Sequence, residues 1–186
     1  MLTSLPNLLT LSRIVAIPLI VALLFLDGEE YRWAAFGLYV LASITDFFDG
    51  YAARAMGQIS KFGRFLDPIA DKLLVVSIIL MVIAVGQVSG IHVIACLIIV
   101  LREITVSGLR EFLAEIQVGV PVSKLAKWKT AIQLIALGFL ILGDAPAQYF
   151  DAAIIGQILI WVAALLTMVT GFDYLRAGLK HMTDAE

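Results

Sequence analysis

Between positions 46 and 71 the chain carries four aspartates in two pairs: Asp46-Phe-Phe-Asp49-Gly50-Tyr-Ala-Ala53-Arg54 and, eight residues on, Gly63-Arg-Phe-Leu-Asp67-Pro-Ile-Ala-Asp71. On a helix the offsets 0, 3, 4, 7 and 8 put Asp46, Asp49, Gly50, Ala53 and Arg54 on one face, and Asp67 and Asp71, four apart, share a face of the next helix. Two antiparallel helices joined by a short turn can point the four carboxylates at each other. Four like charges at low dielectric repel, and without compensation some would hold protons. Hard cations remove that conflict: oxygen-only ligands suit magnesium or manganese, and two such ions neutralise four carboxylates while leaving positions for phosphate oxygens. Gly50, Ala53 and Gly63 leave room for a bulky diphosphate beside the metals, and Arg54 is suited to its oxygens. Two plainer readings stand beside this one. Small residues allow close helix packing in membranes, which is the preferred reading for Gly37 and Gly57. Asp67 before Pro68 has the pattern of a helix N-cap with proline at the first position, a role that does not exclude metal binding.

The elements that must position these residues are set by composition. Of 186 residues, 61% are hydrophobic and mean hydropathy is +0.99, against the roughly 45–50% apolar content of a soluble domain. So much apolar surface at this length needs a bilayer as solvent. Apolar stretches fall at about 8–26, 33–53, 67–86, 91–113, 125–143 and 152–175, each long enough for a spanning helix and none alternating as a strand would. The expected fold is all-α: one integral membrane domain over residues 1–186, a bundle of six transmembrane helices with a short interfacial segment 1–7 and a polar tail 177–186. The run Ile14 to Leu26 has no small-residue cleavage site after it and reads as a retained span. Cys96, the single cysteine, reads as a small buried hydrophobe, and a net charge of −2 points to no nucleic-acid partner.

Basic residues predict the orientation. Of thirteen Lys and Arg, only Arg32 falls on the side of the connections Asp27–Arg32, Gly86–Gly90 and Gly143–Asp151, so by the positive-inside rule the other side and both termini are cytoplasmic. Trp33–Thr45, Leu73–Val85, Ile91–Leu101 and Ala131–Leu142 are nearly free of charge. A clean run of 13 residues covers only about 20 Å of a roughly 30 Å hydrocarbon layer, so the charged ends reach into membrane depth. Ionisable groups there need a wet cavity and one another, and they mark function unless they are snorkelling ends.

The aspartate segment resembles the signature of the CDP-alcohol phosphotransferases, D-x2-D-G-x2-A-R-x8-G-x3-D-x3-D, with all eight fixed identities at the right spacing. The resemblance implies six spanning helices, an active site open to the cytoplasm, and CDP-diacylglycerol bound through its diphosphate by two Mg2+ or Mn2+ ions. It implies that Asp46 and Asp67 bridge both ions, Asp49 completes one site, and Asp71 touches the second and acts as the general base. Gly50, Arg54, Ser60 and Gly63 would lie along the cytidine diphosphate. Asn7-x2-Thr10-x2-Arg13 is similar to the family's nucleotide-lining segment, although a helix cap and an interfacial arginine would explain these residues too. A homodimer in the cell (inner) membrane is expected by the same analogy.

For the acceptor alcohol, Arg102, Arg110, Lys127 and Lys129 suggest a phosphate-bearing molecule such as glycerol 3-phosphate, where serine or choline would want other partners. Arg102-Glu-Ile, Ser107-Gly-Leu-Arg110-Glu, Lys127-Trp-Lys129-Thr and Gln133 are similar to those of bacterial members using that acceptor. Arg110 and Lys127 are the first candidates for its phosphate, with Arg102, Lys129 and Arg176 behind them; pairing with Glu103, Glu111 or Asp173 is the structural alternative. An inositol phosphate acceptor would share every metal residue. A cation or proton carrier would explain intramembrane aspartates but not the glycines, alanine and arginine at these intervals. A histidine mechanism is disfavoured, since His92 falls on the outer side, His181 falls in the tail, and neither has an obvious partner.

Overall fold

The computed structural model describes the backbone of residues 5–55, 61–118 and 124–183, excluding the side chains of 5, 6, 46–55, 61, 62, 64, 124, 177 and 179–183. Six helices follow in order: α1 (Leu5–Leu24), α2 (Glu29–Ala55), α3 (Lys61–Ala84), α4 (His92–Glu115), α5 (Lys124–Leu142) and α6 (Ala152–Thr183). Among the described residues there is no strand, so the all-α expectation holds.

Local chemistry sets several boundaries. Glu29 and Glu30 open α2, where acidic groups oppose the positive end of the helix dipole. Asp151 caps α6 by accepting the Ile154 N–H at 2.9 Å on Oδ1. α5 stops at Gly143, whose φ of +53° closes the helix with a bond from its N–H to the Phe139 carbonyl at 3.0 Å. A side chain at Gly143 would be strained there and would also run into the Gln87 amide.

α3 begins at Lys61, so Asp67 and Pro68 lie inside the helix and the N-cap reading of Asp67 does not hold. Pro68 removes one amide donor from the helix ladder, a loss membrane helices tolerate, and the Lys72 ammonium donates to the Pro68 carbonyl at 2.8 Å. The close packing expected at Gly37 is not found among the described residues, since a Cβ built there meets none of them within 4 Å. Close approaches occur at other helical glycines, among them Gly138, where a Cβ would lie 3.2 Å from the Phe36 ring, and Gly156, where it would lie 2.8 Å from Leu140. Gly57 lies outside the described residues.

Four helical segments are long and apolar enough to cross a membrane: Asn7–Leu24, His92–Glu115, Leu125–Leu142 and Ala152–Arg176. α2 and α3 do not reach that standard among the described residues. The reason in α3 is visible in its first half, which holds Lys61, Arg64, Asp67, Asp71 and Lys72. Val15, Leu19, Leu80, Leu101, Ile158 and Leu165 are each more than half exposed, an apolar coat suited to a multi-pass membrane protein.

The chain divides into two compact units, Met1–Val88 with Leu137–Gly156 and Ser89–Ala136 with Gln157–Glu186. In the first, α1 packs on both α2 and α3, burying Ile20, Leu24, Ala35, Tyr39, Ile78 and Val82. The second buries Cys96, Ile99 and Leu113 of α4 and Ile160, Ala163 and Ala164 of α6. Cys96 is thus the buried thiol that its apolar surroundings predict.

Candidate active site

α2 runs unbroken through the first half of the signature, so positions 46, 49, 50, 53 and 54 do share one side of a helix. The side chains of Asp46, Asp49 and Arg54, and Ser60 altogether, lie outside the described residues. Asp67 and Asp71 stand one turn apart on α3, and Gly63 is buried one turn before Asp67.

α1 reaches both described aspartates. Thr10 Oγ1 donates to Asp67 Oδ1 at 2.6 Å, and Arg13 Nη1 donates to Asp71 Oδ1 at 2.6 Å. Three residues along α1 match four along α3 in the same order, so the two helices run in the same sense where they touch. The Arg13 side chain is 0% exposed and that of Asp71 is 50% exposed. A buried guanidinium requires an anionic partner, and the pair leaves the acid, not the base, as its accessible member. Asn7, 2% exposed, lies within α1 on the same three-residue spacing. Neither plainer reading of this segment survives: Asn7 is inside the helix rather than capping it, and Arg13 is fully buried rather than interfacial. The bonds from Thr10 and Arg13 to the aspartates were not legible in sequence, because nothing local couples position 10 to 67 or 13 to 71.

Asp67 and Asp71 offer the oxygen ligands that a hard divalent cation takes, though among the described residues no group of three or more such ligands comes together. Each has one oxygen held by a short charge-assisted bond from a buried donor on α1, which fixes the carboxylate's orientation.

In the second unit the predicted acceptor residues separate into two kinds. Arg102 and Lys129 are built into a polar cluster. The Lys129 ammonium donates to Glu103 Oε1, with the two side chains 3% and 18% exposed. Arg102 stands 3.7 Å from the same carboxylate, donates through Nη2 to Thr170 Oγ1 at 3.1 Å, and lies 5.8 Å from the centre of the Tyr174 ring. Thr170 gives its own proton to the Leu166 carbonyl at 2.8 Å, which turns its lone pairs toward Arg102. Gly171 lets the arginine stem pass, since a Cβ there would lie 3.0 Å from Arg102 Cγ. Ion pairing with Glu103 is therefore realised, chiefly by Lys129. Thr170 and Tyr174 were missed; their signal was a polar 167, 170, 174 spacing in an otherwise apolar span. Arg110, Lys127 and Arg176 are exposed. Arg102 Nε, Gln133 Oε1 and Thr167 Oγ1 are buried without a hydrogen-bond partner among the described residues.

His92 does have a partner: it accepts the Trp161 indole N–H on Nδ1 at 3.1 Å. An indole donor gives the ring no carboxylate to orient it as a base, so no histidine triad arises there.

Helices long and apolar enough to cross a membrane, with an acidic signature whose second pair is braced by buried donors, suit a multi-pass membrane protein. The family model for CDP-alcohol phosphatidyltransferases matches residues 3–169, and the chain belongs to that family. It is 48% identical to the CDP-diacylglycerol–glycerol-3-phosphate 3-phosphatidyltransferase of Rickettsia bellii, over 96% of this chain and 97% of the relative. The protein of that name from Cereibacter sphaeroides is 37% identical over 97% of this chain and 98% of its own length. A relative from Arabidopsis thaliana, named as number 2 of the same activity, is 37% identical over 93% and 78%.

Proposed function

We propose that this protein transfers the phosphatidyl group of CDP-diacylglycerol to sn-glycerol 3-phosphate, releasing CMP and phosphatidylglycerophosphate. The observation that carries the reading is the complete aspartate signature on α2 and α3, with its second pair held by buried donors of α1. The names of full-length relatives support the acceptor.

In this reading Asp46, Asp49, Asp67 and Asp71 hold two Mg2+ or Mn2+ ions. When bound, these ions supply positive charge to the diphosphate. Asp71 takes the proton of the acceptor hydroxyl, that oxygen forms a bond to the lipid-side phosphorus, and the bond from this phosphorus to the oxygen of CMP breaks. Thr10 and Arg13 hold Asp67 and Asp71 in place as the outer partners of metal-binding carboxylates. Asn7, Gly50, Arg54, Ser60 and Gly63 line the cytidine diphosphate. Arg110 and Lys127, exposed and outside the Glu103 cluster, take the acceptor phosphate, while Arg102 and Lys129 support them from within that cluster. The unpartnered polar atoms of Gln133 and Thr167 suit a polyol in the second unit. All six helices cross the cell (inner) membrane with both termini and the signature on the cytoplasmic side, and the protein works as a homodimer.

The test is CMP release by purified protein in lipid supplied with CDP-diacylglycerol. Glycerol 3-phosphate with Mg2+ or Mn2+ should support it, while serine, inositol phosphate or a chelator should not. Release with inositol phosphate alone would overturn the acceptor, and release in the presence of chelator would overturn the metal role.

A further inference from the structure

At the other end of the first unit from Asp67 and Asp71, a cavity of about 260 Å³ opens among the first turn of α2, the residues after α3 and the end of α5. From Asp71 to Ala84, α3 alone separates the two places by roughly 20 Å. Arg32, Glu29, Asp144 and Gln87 supply its polar lining and Leu142 an apolar wall. Arg32 Nη1 is shielded from solvent and has no hydrogen-bond partner among the described residues, while Glu29 and Asp144 are exposed. A guanidinium nitrogen in that position costs free energy until an acceptor reaches it. Phe25, Trp33 and Tyr149, all exposed, occur in the segments that begin or end at this same end of the unit, a composition typical of the headgroup layer.

The charges select the occupant. A simple anion would meet Arg32 but also two carboxylates, and a simple cation would meet the carboxylates but also Arg32. A ligand whose own charges are separated, an acidic phosphodiester beside an ammonium, satisfies both. A primary ammonium can donate hydrogen bonds to carboxylates and a quaternary one cannot. We propose that this cavity binds the headgroup of a zwitterionic phospholipid with a primary amine, its phosphate on Arg32 and its ammonium on Glu29 and Asp144. The bilayer supplies the ligand, and the site is separate from the aspartate signature.

Delipidated full-length protein in detergent, titrated with phosphatidylethanolamine, phosphatidylcholine or free phosphoethanolamine and read by native mass spectrometry, tests the proposal. One phosphatidylethanolamine should be retained per chain in preference to phosphatidylcholine. Arg32→Gln should weaken that binding at least tenfold, and Asp144→Asn, at an exposed position that leaves folding intact, should erase the preference between the two lipids. CMP release from CDP-diacylglycerol by either variant should stay within twofold of wild type, which also reports that the variant is folded. Equal retention of both lipids by wild type, undiminished phosphatidylethanolamine binding by Arg32→Gln, or free phosphoethanolamine binding as tightly as the lipid would each overturn the proposal.

Discussion

Both units bury cations against carboxylates, but they do so in opposite senses. In the first, Arg13 is wholly buried and its partner Asp71 is half exposed, so the acid is the group presented. In the second, Lys129, Glu103 and Arg102 are all largely buried, and the arginine also meets Thr170 and the Tyr174 ring while its Nε has no hydrogen-bond partner among the described residues. A buried brace with an open partner fixes the position of an accessible group; a cluster of mutually paired, largely buried side chains ties its helices together. The lesson is that intramembrane charge alone does not mark chemistry. The accessible groups, Asp71 in one unit and Arg110 and Lys127 in the other, are the ones to which the proposed function gives a role.

Asp71→Asn should have the largest effect, lowering turnover by about 10²- to 10⁴-fold with CDP-lipid binding retained. Near-wild-type CMP release would remove Asp71 as the base. Glu103→Gln should act on stability instead, costing roughly 3–5 kcal/mol in denaturant titrations because Lys129 is left charged and buried. If Glu103→Gln lowers the rate without shifting the unfolding midpoint, the cluster is not structural. Arg13→Gln should reduce turnover about 10- to 100-fold, and Arg13→Lys should recover part of it. A loss of stability alone, with kcat unchanged, would make Arg13 a packing residue. Lys127→Ala should raise the KM for glycerol 3-phosphate about tenfold with little change in kcat, and an unchanged KM would send the phosphate contact elsewhere. Thr10→Val should cost roughly 1.5–3 kcal/mol in metal affinity or stability for one bond to a charged acceptor. Identical metal titrations and unfolding curves for Thr10→Val and wild type would show that the hydroxyl adds nothing.

Much of the architecture was legible from residue order. Six apolar stretches became six helices because a chain in lipid must satisfy its backbone locally, which leaves helix as the default. The register of Asp46, Asp49, Gly50 and Arg54 followed from an uninterrupted α2. The start of α3 was not legible from the apolar stretch at about 67–86, because the helix begins at Lys61 among charged residues and runs through Pro68.

The amino-acid sequence by itself determined the family, the helical class and the identity of the acids, because these depend on residue type and short spacing along one chain. Tertiary structure alone decided which partner each charge received. Thr10 meets Asp67 and Arg13 meets Asp71 across 57 and 58 residues, and Lys129 meets Glu103 across 26. No short-range periodicity encodes such pairings; they exist only once packed helices bring distant faces within hydrogen-bonding reach.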